Sequence, residues 1–129
     1  MYSAPYAQRL TLMTGFHISC SPGLLNLSGE LDLDAAPDIV EAGLAALDDS
    51  DTQTLLVNCD AVTFIDSSAI GALVRLNTTA DDQGKHLALT NVPARVHQVL
   101  TITGLTEVFD IHTVFAIRPE QADDELGTG

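Results

Sequence analysis

Residues 54–76, TLLVNCDAVTFIDSSAIGALVRL, contain the change of pattern that decides the fold. Leu55-Leu56-Val57 is an apolar run long enough for a buried strand and too short for a helix. Asn58-Cys59-Asp60 reads as a loop, after which the apolar pair Phe64-Ile65 leads into Asp66-Ser67-Ser68. From there Ile70, Leu73, Val74 and Asn77 recur at helical spacing, which predicts a helix starting at Ser67 or Ser68 and running to about Asp82. A carboxylate and two hydroxyls therefore fall where a strand gives way to a helix N-terminus. Backbone N–H groups at such an end have no partner inside the helix, and the dipole favours negative charge, so a phosphate on Ser67 fits there.

Outward from this stretch, helices and strands alternate. Phe16 to Cys20 alternates apolar and polar residues, Ser21-Pro22-Gly23 is a turn, and Leu24 to Leu31 returns as the second strand of a hairpin. Gly29 inside that strand signals either a bulge or a close backbone approach. Asp34 is placed to N-cap a helix from Ala35 to about Leu47, with Pro37 in its first turn and Ile39, Val40, Leu44 and Leu47 as its buried stripe. Asp48-Asp49-Ser50-Asp51 opposes the dipole at that helix's end and reads as a solvated loop. Beyond the central helix, Gly84 suits the first position past its end, and Leu87 to Thr90 forms a short strand. Pro93 opens a third helix with Val96, Val99 and Leu100 inward, and Gly104 closes it. Val108 to Ile117 reads as a last strand with Phe109, Ile111, Val114 and Phe115 at its apolar positions. Residues 1–15 read as a flexible arm, although Leu10 and Leu12 alternate and can extend a first strand. Residues 118–129 form an acidic tail in which Pro119 to Leu126 can make a short helix. This order implies βαβ units, right-handed crossovers and a largely parallel sheet.

Three segments carry a family resemblance. FIDSSAIGALV resembles the D-S-[ST]-G-[LI]-G signature of STAS domains, in particular the bacterial anti-sigma factor antagonists. Leu27-Ser28-Gly29-Glu30-Leu31-Asp32 resembles the family's L-x-G-E-[LI]-D segment, and Thr103-Gly104-Leu105 through Phe109 its T-G-L-x-x-x-F segment. The three occur in order, at nearly family-typical spacing, from about Phe16 to about Ile117. The resemblance implies a single α/β STAS domain over residues 16–117, a mixed, mostly parallel sheet with an N-terminal hairpin, and helices packed mainly on one face. It also implies a fuller C-terminal helix than the tail offers. Ala69 departs from the family's glycine, a change that favours the helix by ~1 kcal/mol and bears on how closely a partner backbone can approach.

With 129 residues, 46% hydrophobic and 18% charged, the chain is one globular domain. Its 5 basic and 18 acidic side chains give a formal charge of −13, which argues against nucleic-acid and anionic-membrane surfaces. No apolar run reaches the length of a membrane span, and the N-terminus lacks the basic and apolar regions of a signal peptide, so a cytoplasmic location is expected. Cys20 and Cys59 fall in predicted strands and read as small buried hydrophobes, reduced in that compartment. His17, His86, His97 and His112 show no ligand spacing and read as surface or satisfied strand histidines; no metal or cofactor is expected.

For Ser67 the resemblance implies the serine phosphorylated by a partner kinase that is itself an anti-sigma factor. A plain capping role explains one hydroxyl, but not a carboxylate and two hydroxyls at the end of a buried strand. Asp66 either orients the Ser67 hydroxyl or caps the helix. By resemblance Asp32, Asp66, Ser67, Ser68, Ile70 and Gly71 form the partner-binding set, with Ile70 and Val74 equally readable as core. Glu30 lies near Asp32, where a turn Asp and a solvated Glu are the plain alternative. Ile65 and Ala69 stand where a G-x-S-x-G elbow needs glycines, no base partner is identifiable, and no Gly-rich phosphate loop is present, so an enzyme is not expected. The function implied is an antagonist that binds an anti-sigma factor kinase and releases a sigma factor, switched off by phosphorylation of Ser67 and restored by a phosphatase. The alternatives are a STAS scaffold subunit of a signalling assembly or of a lipid-transport complex, or a hydrolase.

Overall fold

The computed structural model describes residues 15–113. Five strands and three helices follow one another as β1 (Phe16–Ser21), β2 (Leu24–Leu31), α1 (Ala36–Leu47), β3 (Thr54–Ile65), α2 (Ser67–Asp82), β4 (His86–Val92), α3 (Ala94–Ile102) and β5 (Asp110–Thr113). The sheet order is β1-β2-β3-β4-β5, antiparallel across the β1–β2 hairpin and parallel thereafter. Each parallel neighbour is also the next strand in sequence, so right-handed crossovers carry all three helices to the same face. One core cluster joins them to the sheet, with Leu25, Leu55, Leu73, Leu76, Leu89 and Leu100 fully enclosed.

Several expectations are corrected by the packing. Asn58, Cys59 and Asp60 lie inside a continuous β3, not in a loop. Asn58 Nδ2 donates to Asn26 Oδ1 at 3.0 Å and Asn58 Oδ1 accepts from Asn91 Nδ2 at 2.9 Å, so polar side chains cross-link β2, β3 and β4 on the face away from the helices. The α1 stripe is Ile39, Gly43, Ala46 and Leu47; Val40 is half-buried and Leu44 is exposed. The reason is close helix contact, because a Cβ on Gly43 would sit 2.3 Å from Leu76 Cδ1 on α2. Asp34 does not cap α1. The N-cap position is Ala35, with no side-chain bond, and the Asp34 N–H itself donates to Asp32 Oδ1 at 3.1 Å. At the other end of α1, Lys85 Nζ donates to the carbonyls of Leu47 and Asp49, supplying the positive charge that the acidic loop lacks.

Gly84 and Gly104 end α2 and α3 as expected, each followed by a six-to-one bond, Lys85 N to Ala80 O and Leu105 N to Leu100 O. Cys20 is exposed because β1 is an edge strand, whereas Cys59 is buried and its thiol is pushed up to about 12 by desolvation. In the last strand Val108 is exposed in the preceding turn, Phe109 is buried just ahead of β5, and β5 itself begins at Asp110. Val114 to Ile117, the N-terminal arm with Leu10 and Leu12, and the tail with Pro119 to Leu126 lie outside the described residues.

Candidate functional site

The β3–α2 junction is built by one carboxylate. Asp66 has extended backbone (φ −111°, ψ −178°), and its Oδ1 accepts from the N–H groups of Ser68 at 2.9 Å and Ala69 at 3.1 Å. Its own N–H donates to Leu31 O at 3.0 Å, which ties the helix start to the end of β2. Asp66 is therefore the N-cap, and neither serine is. Ser67 is exposed at the first helical position, and no hydrogen bond from a described residue engages its hydroxyl. A phosphate there would not find the helix N-terminus vacant. The Asp66 carboxylate already holds two of its N–H groups, so the phosphate charge projects outward instead of being absorbed.

The parallel pairing of Leu31 with Ile65 sets Asp32 and Asp66 on adjacent strands, each one residue past the last rung. Asp32 is half-buried, while Glu30 is exposed opposite the exposed Phe64. Ser68 is half-buried and lines a groove between α1 and α2. Gly71 lies in the same groove, open enough that an added Cβ would meet nothing within 4 Å. Ile70, at 4% exposure, belongs to the core with Ala69, so both support the helix from beneath and neither offers surface. Asp32, Asp66, Ser67, Ser68 and Gly71 thus gather at one end of the sheet and along one helix flank, with Ile70 turned away.

Replacing Asp66 by alanine removes the cap, and the expected loss is about 1 kcal/mol of stability. A urea midpoint checks it.

One cluster escaped sequence reasoning. His86 Nε2 lies 2.7 Å from Asp110 Oδ2, and His112 Nε2 lies 3.0 Å from Asp110 Oδ1, joining β4 to β5. Only the parallel register of these strands brings the three together, and it is not readable from linear spacing. The His86 bond holds the Asp110 carboxyl below the usual carboxylate range against the opposing effect of burial, with His112 lowering it further. A depressed folded-state value means that the bonds stabilise above the unfolded-state value (~3.9) and that this contribution is lost as pH falls through the folded one. Asp110→Asn should therefore lower the urea midpoint at pH 7, by a margin that shrinks below about pH 4. An unchanging margin would contradict the assignment. Among the described residues no group of three His, Cys, Asp or Glu side chains is arranged to hold a metal. No helix among them is long and apolar enough to cross a membrane.

A family model described as "Mlab, STAS domain" matches residues 15–113. The chain belongs to the STAS-domain family. Within the STAS domains it groups with the anti-sigma factor antagonists. The anti-sigma-B factor antagonist of Bacillus subtilis (strain 168) is 30% identical over 87 residues, covering 67% of this chain and 78% of the relative. An anti-sigma factor antagonist from Mycobacterium paratuberculosis superposes with a TM-score of 0.63 at 21% identity, over 78% of this chain and 87% of the other. The Bacillus cell fate determinant SpoIIAA, solved in a phosphorylated form, superposes with a TM-score of 0.55 at 21% identity, over 84% and 96%. The resemblance seen in the three sequence segments and the STAS fold it implied are both upheld.

Proposed function

We propose that this STAS domain is a cytoplasmic anti-sigma factor antagonist whose binding is switched by phosphorylation of Ser67. In its unmodified form it binds an anti-sigma factor of ATPase-like fold and so frees a sigma factor. That same partner transfers the γ-phosphoryl group of ATP to the Ser67 hydroxyl, the complex parts, and a phosphatase resets it. The chain is a substrate and a binding module, not an enzyme, and needs no cofactor of its own, since the kinase brings nucleotide and Mg²⁺.

The observation that carries this reading is the division of labour at the α2 N-terminus. Asp66 takes the capping role, which leaves the Ser67 hydroxyl exposed and unengaged. The phosphorylated form of SpoIIAA, a protein of the same fold, supports it. Incubation with the partner kinase and ATP, followed by mapping of the modified residue by mass spectrometry, tests it. Phosphate on Ser67 is expected; an unmodified chain, or phosphate on another residue, overturns the reading.

A second reading draws on the family description, which names Mlab and not an antagonist. In it the chain is a STAS subunit of a signalling assembly or of a lipid-transport complex. That role needs no phosphoserine, so the same mapping experiment separates the two.

A further inference from the structure

The two glycines in the helices differ in what keeps them small. Gly43 is dictated from within, because Leu76 would collide with any side chain there. Gly71, in the second turn of α2 and exposed, meets nothing within 4 Å among the described residues, although glycine in a helix interior costs ~1 kcal/mol against alanine. Nothing among the described residues requires it.

Gly71 floors an open, apolar groove of about 640 Å³ between α1 and α2, walled by Leu33, Pro37, Val40 and Leu44. Leu33 is 69% exposed, a large apolar side chain held in water between two aspartates. Arg75, one turn along α2 from Gly71, stands at the same groove. Of the three basic side chains among the described residues, Lys85 and Arg95 donate to backbone carbonyls. Arg75 accepts from Thr79 Oγ1 only through its backbone carbonyl, and its guanidinium is engaged by no hydrogen bond or ion pair from a described residue, not even with Glu41 across the groove. An apolar trough with a single unpaired cation, on a chain of charge −13, is complementary to an apolar surface that carries a carboxylate.

Resting on the antagonist reading above, we propose that this groove seats a helix of the anti-sigma factor, with an apolar side chain over Gly71 and a carboxylate against Arg75. Two helices leave between them a channel into which the ridge of a third can settle, and a missing side chain lets it come closer. Ser67 lies one helical turn from Gly71, so a phosphate there meets the end of the same docked helix. A second copy of this chain is disfavoured as occupant by its own net charge.

The test titrates each purified anti-sigma factor of the source organism against the full-length chain and its variants by calorimetry. Gly71→Ala should fold with a raised melting temperature, reporting the relief of the glycine. Gly71→Leu, which fills the trough, should keep the parent's melting temperature or exceed it and weaken binding at least ~30-fold. Arg75→Glu should weaken binding ~10-fold, and a reciprocal acid-to-lysine change on the partner should restore it. If the parent binds and Ser67→Asp does not, but Gly71→Leu and Arg75→Glu bind like the parent, the groove assignment fails and the antagonist reading stands. If no anti-sigma factor binds the parent, both fail. A homodimer broken by Gly71→Leu would overturn the assigned occupant.

Discussion

Ser67→Asp should bind the anti-sigma factor at least ~100-fold more weakly than Ser67→Ala, a difference of ~2.8 kcal/mol. Neither substitution disturbs the fold, because Ser67 is exposed and the cap belongs to Asp66. The two variants differ at one surface point, chiefly by a carboxylate, so their affinities compare the two states of the proposed switch. Phosphorylation adds ~1.5–2 negative charges. Against a partner carboxylate at ~4 Å, with an effective dielectric of ~20, each unit of charge costs up to ~4 kcal/mol. The Asp66 carboxylate already sits on the N–H groups of Ser68 and Ala69, so α2 neutralises little of that charge. Repulsion of this size would be enough to part the proposed complex without any rearrangement of either protein. The gap between the variants should narrow as salt rises, since an exposed charge is screened within ~10 Å at 0.1 M. Calorimetry at two ionic strengths reads both effects, and equal affinities for the two variants would end the proposal.

The readable parts of the fold were those set by local chemistry. The shift from strand to helix at Asp66, the Ser21-Pro22-Gly23 turn and the glycine ends of α2 and α3 each depend on residues a few positions apart, and each stands where expected. What escaped depends on neighbours distant in sequence. In β3 the buried positions run Leu55, Val57, Cys59, then Val62 and Ile65, because two register shifts against β2 insert extra residues. Spacing changes from two to three at each shift, which breaks the alternation that marks a strand and made Asn58 to Asp60 read as a loop. In α1 the largest apolar residues suggested the buried face, yet the closest contact is made at Gly43, the smallest. Hydrophobicity alone cannot identify a face chosen for closeness. The site divides in the same way. Asp66, Ser67 and Ser68 are adjacent in sequence and were found from it, whereas the groove pairs α2 with Leu33 and Pro37, more than thirty residues earlier.

Gly29→Ala should cost about 3 kcal/mol or more, combining the ~1–2 kcal/mol of a left-handed backbone with ~1–3 kcal/mol of steric overlap. Gly29 has φ +85°, and an alanine Cβ would lie 2.1 Å from Gly15 O and 2.9 Å from Phe16 Cα. Both are backbone atoms of the facing strand end and cannot swing aside. They are also held in place, because Gly15 O accepts from Glu30 N at 2.8 Å. A domain with ~5–15 kcal/mol of total stability loses a large share of it in this way, and the melting temperature should fall by roughly 10–20 °C. Gly84→Ala supplies the control, since Gly84 has φ +71° but open space around it, so it isolates the backbone cost alone. The functional consequence follows from register. The second β2–β3 shift falls between Gly29 and Glu30, and together with the first it pairs Leu31 with Ile65 and brings Asp32 beside Asp66. If Asp32 belongs to the proposed binding face, a chain relaxed around an alanine at position 29 should lose partner binding more steeply than Gly84→Ala brought to the same stability by temperature. Thermal melts of the two variants decide the first point, and if both fall equally the backbone collision is not what holds the hairpin. Calorimetry at matched stability decides the second, and equal losses in the two variants would remove Asp32 from the proposed binding face.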